Sequence, residues 1–136
     1  MNKILIDSGP LIALFNGNDT YHAASVSFIK ANRSELVTTI ASITETLHWL
    51  SFNRHAQIDF LEWVHAGAVT IEPVTNSDLQ RIIELTKKYA DLPMDFAAAC
   101  LVFLAEKFNI DTVATIDRDF DVYRVEGKRP FTVLIK

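Results

Sequence analysis

Lys3-Ile4-Leu5-Ile6-Asp7-Ser8-Gly9-Pro10-Leu11 decides the fold. Lys3–Ile6 is too short and too uniformly apolar for a surface helix, and reads as a strand buried on both faces, as in a parallel sheet. An acid follows at once. Ser8-Gly9-Pro10 then starts a helix that runs through Phe15, with Pro10 tolerated in its first turn. A buried strand that passes directly into a helix is the opening of a βαβ unit, so strands and helices should alternate along the rest of the chain.

Outward from that segment the pattern holds. Further strands are expected at Leu36–Ile40, Val69–Ile71, Thr112–Ile116 and Phe131–Ile135. Asn16-Gly17-Asn18-Asp19-Thr20 is a loop rich in turn formers. A helix is expected from Tyr21 to about Arg33, with Ala24, Phe28 and Ala31 at helical spacing. Ser42-Ile43-Thr44-Glu45 has the form of a capping box and opens a helix to about Phe52. Residues 54–66 form another, with Ile58, Leu61 and Val64 on one face. Thr75-Asn76-Ser77-Asp78 caps a helix reaching Tyr89, with Leu79, Ile82, Ile83 and Leu85 inside. Pro93 starts the next, which ends near Phe108-Asn109. The fold class expected is therefore α/β: a three-layer sandwich with a central parallel sheet of 4–5 strands flanked by helices. At 136 residues the chain makes one domain, 1–136, large enough for its own core.

Composition narrows the function classes. The chain is 49% hydrophobic and 22% charged, a globular balance. No apolar run approaches the ~20 residues of a membrane span, and the N-terminus lacks a basic region with a cleavage site. Cys100 is the single cysteine and lies in an apolar run, which predicts a core residue in a cytoplasmic protein. The net charge of −4 argues against a surface that grips nucleic acid all over, but leaves room for a basic rim around an acidic centre. The basic residues near the C-terminus, Arg124, Lys128, Arg129 and Lys136 against Glu126, read as a solvated edge.

The acids carry the chemistry. Asp7 and Asp117 each end an apolar strand, Glu45 lies at the start of a helix after a strand, and Asp95 lies near another helix start. Strand C-termini of a parallel sheet share one edge, where ligands bind. Each acid also has a bland explanation: Glu45 as a capping-box residue, Asp95 as a complement to the helix dipole, Asp117 and Asp119 as turn formers. Asp7 resists one, because a carboxylate at the edge of a buried strand is costly unless paired or metal-bound. Converging carboxylates suit Mg²⁺ or Mn²⁺. His22, His48, His55 and His65 form no zinc-ligand spacing, and Glu45-x-x-His48 is a single copy where a di-iron bundle needs two. No phosphate-binding glycine loop is present.

With those residues in place, the chain resembles the PIN domains, specifically the VapC-type toxin ribonucleases of toxin–antitoxin pairs. The likeness rests on residues 4–11, on Ser42-x-x-Glu45, on Tyr89-Ala90-Asp91-Leu92-Pro93-Met94-Asp95, and on Ala114-Thr115-Ile116-Asp117-Arg118-Asp119-Phe120. What it implies is a PIN-like sheet, an acidic pocket for Mg²⁺ or Mn²⁺, and endonucleolytic RNA cleavage in the cytoplasm. It implies Asp7, Glu45 and Asp117 as the first, second and fourth acids, with Asp119 auxiliary. The position of the third acid is held by Ala98, and Asp95, one turn earlier, is the fallback ligand. The chain as written is thus expected to be inactive or weakened. Arg118, Arg54, Lys87 and Lys88 are the residues expected to contact RNA. The expected partners are the RNA substrate, a cognate antitoxin whose arginine enters the acidic pocket, and a second copy of the chain. The homodimer is expected from Trp49, Phe52, Phe60 and Trp63, which cannot all be core in so small a domain. Two other readings stay open: a non-catalytic PIN-like RNA-binding module, supported by Ala98, and a phosphate-receiving signalling domain, which also gathers acids at strand ends.

Overall fold

The computed structural model describes residues 2–135. Five parallel strands form the sheet: β1 (Lys3–Ile6), β2 (Glu35–Thr38), β3 (Thr70–Ile71), β4 (Thr112–Ala114) and, at the C-terminus, β7 (Thr132–Leu134). Their order is β3-β2-β1-β4-β7, with β1 at the centre. Between β4 and β7 the chain makes a short antiparallel hairpin, β5 (Arg124–Val125) and β6 (Arg129–Pro130). Six helices cover the sheet: α1 (Ser8–Phe15), α2 (His22–Ala31), α3 (Ile40–Trp49), α4 (Arg54–His65), α5 (Leu79–Lys88) and α6 (Phe96–Phe108).

Alternation along β1 makes the layers. Leu5 joins one apolar cluster with Val37, Val113 and the buried faces of α5 and α6. Ile4 and Ile6 point the other way, into a second cluster with Leu11 of α1, Ile43 of α3 and Phe60 of α4. Successive strand residues face opposite sides, so one buried strand holds both cores apart. The α/β sandwich and its central parallel sheet are as the sequence predicts.

Several element boundaries and faces differ, for local reasons. β2 stops at Thr38, and α3 begins at Ile40 with Thr39 as an extended N-cap that makes no side-chain cap bond. The capping box expected of Ser42 and Glu45 does not form: Ser42 lies inside the helix, and its hydroxyl is buried without a hydrogen-bond partner among the described residues. The pattern S-x-x-E marks a helix start only where the backbone turns there, and here it turns three residues earlier. Pro93 does not start α6 either. Residues 91–93 form a turn, and Asp95 caps a helix that begins at Phe96. On α4 the buried face is that of Ala56 and Phe60, while Ile58 and Leu61 are exposed. On α5, Ile82 and Leu85 are buried, but Leu79 and Ile83 are exposed. On α2 it is Ser25 that is buried, and Ala24 is exposed. Helix phase is decided by what each face meets, which a short apolar pattern fixes poorly.

The hairpin takes up Arg124 and Arg129 near the C-terminus, and Lys136 lies outside the described residues. Arg129 bonds Asn109 and Asp111, and Arg124 donates to the carbonyls of residues 121–123. Arg81 clamps Glu106 through two 2.8 Å bonds, fixing α5 on α6. At the start of α1, a Cβ on Gly9 would stand 2.6 Å from Ile116 Cγ1, so glycine lets α1 approach the segment after β4. That approach brings Asp7 and Asp117 to one edge. Among the described residues, no helix is long and apolar enough to cross a membrane.

Candidate active site

The acids meet at the C-terminal edge of the sheet, around Asp7. Its backbone N–H bonds Ala114 O (3.0 Å), extending the β1–β4 ladder by one residue. Its side chain, only 8% exposed, is held at both oxygens. Oδ1 accepts from Ser8 N (2.8 Å), which makes Asp7, rather than Ser8, the N-cap of α1. Oδ2 accepts from the Thr115 hydroxyl at 3.0 Å. The ladder pairs Ile6 with Ala114, so the next residues, Asp7 and Thr115, stand side by side on the same face. Thr115 Oγ1 in turn accepts from Asp117 N (3.0 Å), and Asp117 Oδ1 accepts from Asp119 N (2.9 Å). One chain of hydrogen bonds therefore links the two strand-end acids through a buried threonine. Thr115 is the site residue for which sequence reasoning found no role, its only signal being its place two residues before Asp117; Ser8, expected from its place after Asp7 to cap the helix or touch a metal-bound water, instead bonds Glu45.

Glu45 reaches the same place from α3, where its Oε1 accepts from the Ser8 hydroxyl at 2.5 Å. Asp95, at the head of α6, accepts from Ala98 N at 2.7 Å and so caps the helix, where the sequence reading made it a complement to the dipole of a helix begun at Pro93. Ala98 lies in the first turn of α6, 3% exposed, packed within the apolar cluster rather than facing open solvent.

The electrostatics show how close these groups are. Burial pushes the Asp7 carboxyl up to about 7; the bonds from Ser8 and Thr115 oppose this, and the charges of Glu45 and Asp95 add to it. Asp117 is raised by burial, and further by the charges of Asp119 and Asp95. The Tyr123 phenol is raised by burial, and further by the charges of Asp117, Asp119, Asp95 and Asp7. Among the described residues, the ion pairs are Lys3–Glu35, Arg81–Glu84, Arg81–Glu106 and Arg129–Asp111, and none touches this group. Acids gathered at one sheet edge, with no basic partner among the described residues, favour a cation nearby.

A PIN domain family model matches residues 4–126. The chain belongs to the PIN domain family. Ribonuclease VapC26 of Mycobacterium tuberculosis is 27% identical over 135 residues, spanning 96% of this PIN domain and 99% of the relative. The crystal structure of Mycobacterium tuberculosis VapC20, a sarcin–ricin loop cleaving toxin, superposes with a TM-score of 0.80 at 19% identity. That match covers 88% of this chain and 93% of the other, and it supports the fold.

The remaining expected residues distribute unevenly about the PIN site. Arg118 is exposed between Asp117 and Asp119. Arg54 opens α4, and Lys87 and Lys88 close α5, with the Lys88 ammonium over the Tyr89 ring at 5.4 Å. Among the described residues, none of these three shares a hydrogen bond or ion pair with the five acids. Cys100 is fully buried, and burial raises its thiol to about 11, as befits a core residue. Of the four aromatics, Phe60 is core and Trp63 packs edge-on against Phe15, while Trp49 and Phe52 are exposed.

Proposed function

We propose that this PIN domain, acting as a single domain over 1–136, is a divalent-metal-dependent endoribonuclease and the toxin of a toxin–antitoxin pair in the cytoplasm. The observation that carries the reading is Asp7: a carboxyl buried at the sheet edge, fixed at both oxygens, raised further by the charges of Glu45 and Asp95, and without a basic partner among the described residues. The ribonuclease relative, matched over nearly its whole length, supports the reaction.

The donor set tests the metal. Oxygen ligands alone suit Mg²⁺ or Mn²⁺, yet among the described residues no three acid, histidine or cysteine side chains stand close enough together to hold an ion. The chemistry of the donors fits, and the set is one ligand short, with Ala98 at the position where the third acid is expected. Asp7 and Asp117 would hold the ion, with Glu45 and Asp119 around it and Asp95 as the fallback. When bound, a divalent ion lowers the pKa of a water and offsets phosphate charge. The chain's own part is orientation. Thr115 and Ser8 N lock the Asp7 carboxylate, the Ser8 hydroxyl turns Glu45 toward the edge, and Arg118 stands at the rim for a phosphate. Arg54, Lys87 and Lys88 contact the RNA away from the acids. The chain as written is inactive or weakened for want of an acid at position 98. Ala98 also favours a second reading, an RNA-binding module without cleavage. Mn²⁺-dependent cleavage of RNA by the Ala98→Asp variant separates the two.

The partners follow from the same acids. Mutual repulsion among Asp7, Glu45 and Asp117 is relieved by an antitoxin arginine, which can bond carboxylates bidentately. Asp7→Asn combined with Glu45→Gln should weaken binding of the cognate antitoxin peptide by about 30-fold or more in calorimetry; unchanged affinity would refute this mode. A homodimer also belongs to the reading, now through Phe52, Ile58 and Leu61, which leave an apolar face exposed at the α3–α4 corner. Light scattering at micromolar protein should give twice the 15.3 kDa chain mass; a monomer would exclude the dimer.

A further inference from the structure

Beside the acids lies a pocket that the cleavage chemistry does not use. It has a volume of about 270 Å³ and is lined by Gly9, Ile12, Asn16, Asp19, Trp49 and Ile116. Two of these residues tie it to the catalytic edge: Gly9 is two residues past Asp7, and Ile116 immediately precedes Asp117. The helices set the distance. On α3, Trp49 follows Glu45 by four residues, and on α1, Ile12 follows Ser8 by four, so the pocket lies one turn, about 6 Å, beyond the Ser8–Glu45 bond. That is the order of the separation between a phosphate and a neighbouring base.

The lining selects the occupant. Trp49 is 60% exposed, stands at a steep angle to the neighbouring His48 ring, and brings the one aromatic side chain to the lining of the pocket. Gly9, Ile12 and Ile116 are small or aliphatic. The rim is polar: Asn16 Oδ1 accepts from Asn18 N, and Asp19 Oδ1 accepts from Tyr21 N. The Asn16 amide N–H₂ and the second Asp19 oxygen remain free of hydrogen bonds among the described residues. A donor and an acceptor beside an aromatic platform match the edge and face of a nucleobase. No basic residue lines the pocket, and Asp19 would repel a phosphate, so the neutral part of a nucleotide is what fits.

We propose that this pocket takes one base of the RNA flanking the scissile phosphate, stacked on Trp49, with Asn16 and Asp19 reading its edge. The assignment rests on the ribonuclease reading and extends it to substrate selection. Trp49 is a binding residue here, and Asn16 and Asp19 determine specificity.

The test is fluorescence anisotropy of a short fluorescein-labelled single-stranded RNA and of its abasic counterpart, titrated in Mn²⁺ with the protein, Trp49→Ala and Trp49→Phe. Removing a stacking platform should weaken the base-bearing RNA by about 5- to 100-fold. Trp49→Phe should keep most of the affinity, and the abasic strand should bind the protein and Trp49→Ala alike. Asn16→Ala and Asp19→Ala should narrow the spread of affinities among oligo(A), oligo(C) and oligo(U). Equal loss for base-bearing and abasic strands, or no loss, overturns the proposal. So does a Trp49→Ala protein whose RNA affinity is intact and whose light-scattering mass has fallen, since the face would then be a protein contact. The cleavage assay keeps the two readings apart. If Ala98→Asp cleaves RNA and adding Trp49→Ala leaves KM unchanged, the base pocket fails and the ribonuclease stands. If the parent and a folded Ala98→Asp protein both cleave nothing in Mn²⁺, the ribonuclease is refuted, and the anisotropy comparison still decides the pocket.

Discussion

Ala98→Asp is expected to turn this chain into a Mn²⁺-dependent ribonuclease, raising cleavage by about 10²–10³-fold, the effect of restoring one electrostatic contact to a transition state. Position 98 lies one turn beyond Asp95 on the same side of α6, and its backbone N–H is bonded by the Asp95 carboxylate. Because Ala98 is 3% exposed, the new carboxylate would be buried about as deeply as that of Asp7. This predicts a second, independent signature. In EDTA the variant carries one more buried, unpaired charge and should melt below the parent, with a loss of several kcal/mol. In Mn²⁺ the melting temperature should recover, because an ion present at about 100 times its Kd adds about 2.7 kcal/mol of stability. Scanning calorimetry in both conditions, beside an RNA cleavage assay, checks it. A variant that is destabilised, inactive and indifferent to Mn²⁺ would show that residue 98 is a core position and that Asp95 is the third acid.

Asp7→Asn should have the opposite effect on stability. Burial pushes the Asp7 carboxyl up to about 7 in the folded chain, against 3.8 for a free aspartate side chain. Between those values the folded state holds a proton that the unfolded state has released. The stability this group contributes is therefore complete below pH 4, falls as pH rises, and is lost above about 7. The whole interval corresponds to roughly 4 kcal/mol at most. Asparagine cannot ionise and keeps an oxygen for the Ser8 N–H, while Thr115 Oγ1 has a second lone pair to accept from its amide. In EDTA, Asp7→Asn should thus be more stable than the parent at pH 8 and little different at pH 4, with a flattened stability–pH profile in urea titrations. It should also abolish any Mn²⁺-induced rise in melting temperature. A parent whose stability is flat between pH 4 and 8, after the acids outside the site are accounted for, would contradict the buried, unpaired state of Asp7.

Much of the fold was legible because its signals are local. Buried strands appear as short apolar runs, and an acid at the end of such a run must lie at the sheet edge. Asp7 and Asp117 were read that way, and their hydrogen bonds bear out the position. Where the reading failed, it relied on a local motif with two uses. Ser42-x-x-Glu45 has the form of a helix start but lies inside a helix that began at Ile40. Glu45 bonds Ser8, a residue 37 positions away. The face of α4 was misjudged for a similar reason. Ile58 and Leu61 have the spacing of a buried stripe, but the sheet and α1 are filled by Phe60, with Trp63 against Phe15.

The sequence by itself determined the alternation of strand and helix, the parallel sheet that this alternation requires, and the acids at its strand ends. These depend on periods of two and 3.6 residues and on the absence of polar residues from short runs, all properties of neighbours along the chain. Only the tertiary structure decided that Thr115 stands beside Asp7 across 108 residues, that no arginine or lysine neutralises the group among the described residues, and that Trp49 is left uncovered next to the site. Strand register and helix phase set those outcomes, and both are fixed when the layers close on each other. Hydrogen-bond partners, desolvation and exposure all follow from that closure, so Asp7 and Asp117 acquire their raised pKa values only in the folded chain.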